Sequence, residues 1–111
     1  MSTKTTTIEY ILDQLSSLRV TARKMFGEYA LYCDTKVVAL VCDDQLFVKI
    51  TEKGKAFVGD DYEEGEAYPS AKPSMFISGD RIENRQWLTE LIQITADSLP
   101  LPKPKKKRKR V

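Results

Sequence analysis

Residues Met25 to Ile50 constrain what this chain can fold into more than any other stretch. They form three runs rich in β-branched and aromatic residues, cut by two polar pairs, Asp34-Thr35 and Asp43-Asp44. Such pairs between apolar runs mark tight hairpin turns. The pattern predicts a three-stranded antiparallel meander over about Glu28–Cys33, Lys36–Cys42 and Gln45–Ile50. Gly27, just before it, tolerates backbone angles closed to other residues.

If both turns have two residues, Cys33 lies opposite Lys36 and Cys42 opposite Gln45. One face then carries Ala30, Tyr32, Val37, Ala39, Val41, Leu46, Val48 and Ile50. That face is apolar and is expected to meet the helices. The other carries Tyr29, Leu31, Cys33, Val38, Leu40, Cys42, Phe47 and Lys49. It is too apolar for a plain solvated face, so it is expected to lie under a loop or against a second copy in a homodimer.

The rest of the chain reads as helices and two further strands. Thr5 to Thr7 offer caps, and Ile8, Ile11, Leu12, Leu15 and Leu18 follow at helical spacing, with Glu9, Asp13, Gln14, Ser16 and Ser17 on the opposite side. Val20 to Lys24, with the cations Arg19, Arg23 and Lys24, reads as a solvated connection. Thr51 to Gly59 predicts a short helix weakened by Gly54. Asp60 to Glu66 reads as an acidic solvated loop, since it lacks the ligand spacing of a calcium loop. Ala67-Tyr68 and Ser74 to Ile77 are strand-like, and Pro69 and Pro73 suit edge or loop positions. A last helix, starting at Asp80 or Asn84, buries Trp87, Leu88, Leu91, Ile94, Thr95 and Leu99, and Pro100 and Pro102 end it. The fold class is therefore α+β with a single antiparallel sheet, in the order helix, three strands, short helix, two strands, helix.

The 111 residues suit one domain, residues 1–101, followed by a basic tail, 102–111. Lys103, Lys105, Lys106, Lys107, Arg108, Lys109 and Arg110 make seven of the eighteen basic residues. The remainder keeps eleven basic against sixteen acidic residues, a net charge of −5. An acidic body thus carries a strongly basic tail, which cannot bury a core and is expected to be disordered. The leading reading of those seven cations is a non-specific nucleic-acid contact driven by counterion release. The tail also resembles a nuclear import signal, which applies to a eukaryotic source, and it fits a solubility element beside a purely protein partner.

Chemistry is harder to find. The chain has no histidine, which excludes Ser-His-Asp and Cys-His arrangements and removes the commonest metal ligand. Two cysteines are too few for a disulfide framework or a zinc site, and both fall in predicted strands. Asp43-Asp44 and Asp60-Asp61 suit turns better than catalysis. Tyr29, Tyr32 and Phe47 could form an aromatic ligand surface, with sheet packing the default reading. An enzyme would use the surface of Tyr29, Tyr32 and Cys33, against which the absence of histidine and of any motif counts. The expectation is a non-enzymatic domain with no catalytic residues, cofactor or metal. No apolar run reaches membrane-span length, and Met-Ser-Thr-Lys-Thr-Thr-Thr lacks the core of a signal peptide. A cytoplasmic location is expected, nucleoid-associated if the tail binds DNA.

Arg23-Lys24-Met25-Phe26-Gly27-Glu28-Tyr29-Ala30-Leu31-Tyr32-Cys33-Asp34, then Val37 to Val41, Leu46 to Ile50, Tyr68-Pro69, Lys72-Pro73-Ser74-Met75 and Trp87-Leu88, resembles the N-terminal domain of the TfoX/Sxy family in its stand-alone form. The resemblance covers roughly Ile8 to Leu99. It implies a fold similar to the secretion-chaperone group, whose members often dimerise. Family members with a second, C-terminal domain regulate natural competence genes; here a basic tail follows Leu99 instead. The resemblance supplies no catalytic residues. Met25, Phe26 and Gly27 are its signature, and a structural role, at a turn and in the core, is expected for them before a binding site.

Overall fold

Two tight turns organise the centre of the sheet. Asp34 and Thr35 have φ of 51° and 72°, and Asp43 and Asp44 have φ of 53° and 62°. Positive φ at both central residues is the geometry whose twist matches that of flanking strands. The turns join β2 (Glu28–Cys33), β3 (Lys36–Cys42) and β4 (Gln45–Val48). Cys33 pairs with Lys36 and Cys42 with Gln45, as the turn lengths require. The computed structural model describes residues 3–25, 28–67 and 71–100.

Around this meander stand α1 (Thr5–Gln14), β1 (Val20–Met25), α2 (Glu52–Val58), β5 (Glu64–Glu66), β6 (Pro73–Ile77), α3 (Gly79–Glu83) and α4 (Arg85–Ser98). The strands make one antiparallel sheet in the order β1-β2-β3-β4-β6-β5. One face packs against the helices. Its core joins Ile8, Ile11 and Leu15 with Leu88, Leu91 and Ile92 through Leu31, Val41, Leu46, Val48 and Met75.

The α+β class and the single antiparallel sheet match the sequence reading, and four particulars differ. First, Val20–Met25 is a strand, not a connection, and it pairs with β2 from Val20↔Cys33 to Met25↔Glu28. Second, the acidic segment expected as a loop contributes β5 at Glu64–Glu66; of the strand expected at Ala67-Tyr68, Ala67 falls just after β5 and Tyr68 lies outside the described residues. A Cβ at Gly65 would approach Phe47 Cε2 to 3.1 Å, so glycine lets the phenyl ring lie against this strand.

Third, β3 carries a bulge. Tyr32 pairs with Val37 but Leu31 with Ala39, which leaves Val38 as an extra residue. One inserted residue exchanges the faces of everything beyond it in the pair. Leu31 and Cys33, rather than Ala30 and Tyr32, therefore meet the helices, and Val38 joins Ala39 in the core. Val37 stays half-buried and Ile50 exposed, although both were expected in the core. On the outer face Ala30, Cys42 and Phe47 are still at most 5 % exposed. Phe47 lies 5.8 Å from Phe76, ring centre to ring centre, and the cover of these residues comes from the chain itself.

Fourth, the helices are rotated and capped differently from the local reading. Gln14 is buried, not solvent-facing: its amide donates to the Ile82 carbonyl at 2.8 Å and to the Glu83 carbonyl at 3.1 Å. The cap of α1 comes from a turn far along the chain, not from Thr5–Thr7. Asp44 Oδ1 accepts from the Lys4 amide at 2.8 Å and from the Thr7 hydroxyl at 2.9 Å. In α4, Asn84 caps the Trp87 amide, and Ile92 fills the core while Ile94 is half-buried. Thr51 caps α2 through Gly54, as expected.

Candidate binding surface

The position of β1 decides what the molecule offers to a partner. The strand is weakly written in sequence: Val20 and Ala22 point toward the helices, but Lys24 on the same side breaks the alternation. Its partner β2 closes the Asp34-Thr35 hairpin, and the residues flanking a two-residue turn form a hydrogen-bonded pair. The backbone of Cys33 therefore points to Lys36, and Val20, its partner in β1, lies at a non-hydrogen-bonded position. Alternation along the strand then places the amides and carbonyls of Val20, Ala22 and Lys24 on the side away from β2, while Thr21 and Arg23 bond to it. β1 is also a terminal strand of the sheet, so no other described strand covers that side.

Cations border this edge. Arg19, Arg23 and Lys24 are exposed. The ion pairs among the described residues are Arg81–Asp61 and Arg85–Asp13, so none of these three cations is paired there. Arg23 is held over the Tyr32 ring, 5.9 Å from its centre, by attraction to the π face. The opposite edge of the sheet has the other sign, with Glu64 and Glu66 on β5. The two ends of the sheet thus carry opposite charge.

The residues expected to carry function fall as follows. The tail cations Lys103, Lys105, Lys106, Lys107, Arg108, Lys109 and Arg110 lie outside the described residues, as do Phe26 and Gly27 of the family signature. Met25 is described: it ends β1 opposite Glu28 and is 40 % exposed, so it does not fill the core as expected. Tyr29 and Cys33 lie on the helix-facing side of β2 and Tyr32 on the other, so these three do not form one surface.

Several other reactive groups are engaged within the fold. Cys33 and Cys42 are free and buried, and burial raises both thiols above their ordinary value, with Asp34 and Glu28 respectively adding to the effect. Asp44 is held below the usual carboxylate range, first by the Lys4 amide and then by the Thr7 hydroxyl. Partial burial and a hydrogen bond to Glu64 push Tyr62 up to about 12. Trp87 is engaged inside the chain: Phe57 stacks on it at 5.6 Å, and Arg81 sits 4.7 Å from its ring centre. Among the described residues no group of three or more acids and cysteines could hold a metal. No described helix is long and apolar enough to cross a membrane.

These features define a class of small α+β module, in which helices cover one face of an antiparallel sheet and a basic edge strand has no partner among the described strands on its outer side. The sequence pattern of the TfoX N-terminal domain matches residues 12–98, and the chain belongs to that family. It is also 38 % identical over 101 residues to an uncharacterized 12.7 kDa protein in the trpE 5′ region of Spirochaeta aurantia, an alignment covering 90 % of this chain and 86 % of that protein.

Proposed function

We propose that the protein is a non-enzymatic regulatory module that holds nucleic acid without sequence preference through the cations between Lys103 and Arg110. The separation of charge carries this reading. Seven of eighteen basic residues stand in one run behind a body of net charge −5. Phosphate contacts made by such a run release counterions, so affinity falls steeply with salt. The tail has no aromatic residues to stack on bases, and Trp87 is already engaged, which favours backbone contact over base reading. The non-enzymatic part rests on two buried thiols kept protonated and on acidic residues placed in turns and caps.

The test is binding to a duplex oligonucleotide by the full chain and by a chain ending at Leu101, with a melting curve to show that the shorter chain is folded. The full chain is expected to lose about three to four orders of magnitude in affinity between about 50 and about 200 mM salt. The shorter chain is expected not to bind. Equal binding by both chains removes the tail from the mechanism.

A second reading, a protein adaptor, is favoured by a different observation. No other described strand pairs with the outer side of β1, which is the geometry by which sheets add a partner strand.

A further inference from the structure

We infer that the open edge of β1 is a docking strand for an extended segment of another protein in which apolar and acidic residues alternate. The inference rests on the adaptor reading and is independent of the tail. Three observations carry it. Val20, Ala22 and Lys24 direct amides and carbonyls outward, and no other described backbone group bonds to them. An incoming strand would satisfy these groups by continuing the sheet beyond β1.

The side chains along the edge then specify the partner. On the helix-facing side an incoming strand lies beside Val20 and Ala22, which are half-buried against the core. Apolar residues at alternate positions extend that core. On the outer side it lies beside Thr21 and Arg23, with Arg19 at the start of the strand. Acidic residues at the intervening positions meet cations that have no ion pair among the described residues. Lys24 adds a positive charge on the helix-facing side.

The same charges argue against self-pairing. Two β1 strands placed side by side would bring Arg19, Arg23 and Lys24 of both copies together, and like charges across strands are unfavourable. The chain's own acidic edge, β5, is three residues long against six in β1, too short to satisfy Val20, Ala22 and Lys24 together. A longer acidic strand from another protein fits the whole edge.

The experiment uses the full chain and three labelled peptides of about eight residues, a common strand length. They alternate valine with glutamate, valine with lysine, and proline with glutamate. The valine–glutamate peptide is expected to bind and to slow amide exchange at Val20, Ala22 and Lys24 while leaving Thr21 and Arg23 as they were. Ala22→Pro removes one outward amide without touching the ladder to β2, a placement that edge strands tolerate. It is expected to weaken this peptide roughly five- to ten-fold at unchanged melting temperature. Reversing charge with Arg23→Glu and Lys24→Glu together is expected to transfer preference to the valine–lysine peptide. Equal binding of the proline–glutamate peptide overturns the inference, because that contact would be electrostatic only. So does exchange at the three amides that stays fast with peptide, or that slows with protein concentration alone, which would make a second copy the occupant.

Discussion

Removing the side chain of Gln14 should cost more than its place on a helix surface suggests. Gln14 is 7 % exposed and spans from α1 to the end of α3. Its amide donates to the carbonyls of Ile82 and Glu83, which end a five-residue helix and have no intrahelical donor. In Gln14→Leu the volume is kept and both bonds are lost. Each bond is worth about 1 kcal/mol, and leaving the buried Ile82 carbonyl unpaired adds about 1 kcal/mol more. The sum is about 2–3 kcal/mol, or a melting temperature roughly 10–15 °C lower for a domain of this size.

A second substitution at the same position isolates the donor. Gln14→Glu keeps the shape and places a titratable oxygen against two acceptors. The protonated carboxyl can donate to one carbonyl; the carboxylate repels both. Its folded-state pKa therefore rises above the unfolded value of about 4.3. The folded state then holds the proton more tightly, so stability is greatest below about pH 4 and is lost as pH rises through the folded value. Thermal melts by circular dichroism at several pH values between about 3 and 8 read both effects. A melting temperature for Gln14→Leu within about 3 °C of the parent would refute the reasoning. So would a Gln14→Glu deficit that does not grow with pH.

Two further outcomes follow from the turns. Thr35 has φ of 72°, where a β-branched residue is strained, so Thr35→Gly should stabilise the hairpin by roughly 0.5–1 kcal/mol in urea denaturation; a loss of stability would show that the threonine is not strained there. Asp44 has a folded pKa below its usual 3.8, so its contribution is present above that value and is lost as pH falls through the lower, folded one. The melting temperature of Asp44→Asn should therefore fall less than the parent's below about pH 4, and parallel acid limbs would contradict the capping role.

The meander was legible because its signals are local. Two polar pairs between β-branched runs require two-residue turns, and turn length alone paired Cys33 with Lys36 and Cys42 with Gln45. The candidate binding surface was not legible. Val20–Met25 lacks a clean alternation, since Ala22 and Lys24 share one side, and its strand character comes from pairing with β2. The cations Arg19, Arg23 and Lys24 were visible as a cluster, but nothing local says that they border a sheet edge. The tail was visible from composition and is the part of the functional reading that needs no fold.

What the sequence by itself determined was the α+β class, the turns, the helical stripes and the division of charge between body and tail. These depend on neighbours within a few residues, or on simple counts. Only the tertiary structure decided which side of β2 faces the helices, because a single extra residue at Val38 exchanges the two faces. It also decided that Asp44 caps α1 from the β3–β4 turn and that Gln14 is buried across a helix interface. Each of these is a contact between segments far apart in the chain. Its energy depends on where both partners are held, and short-range patterning carries no record of that.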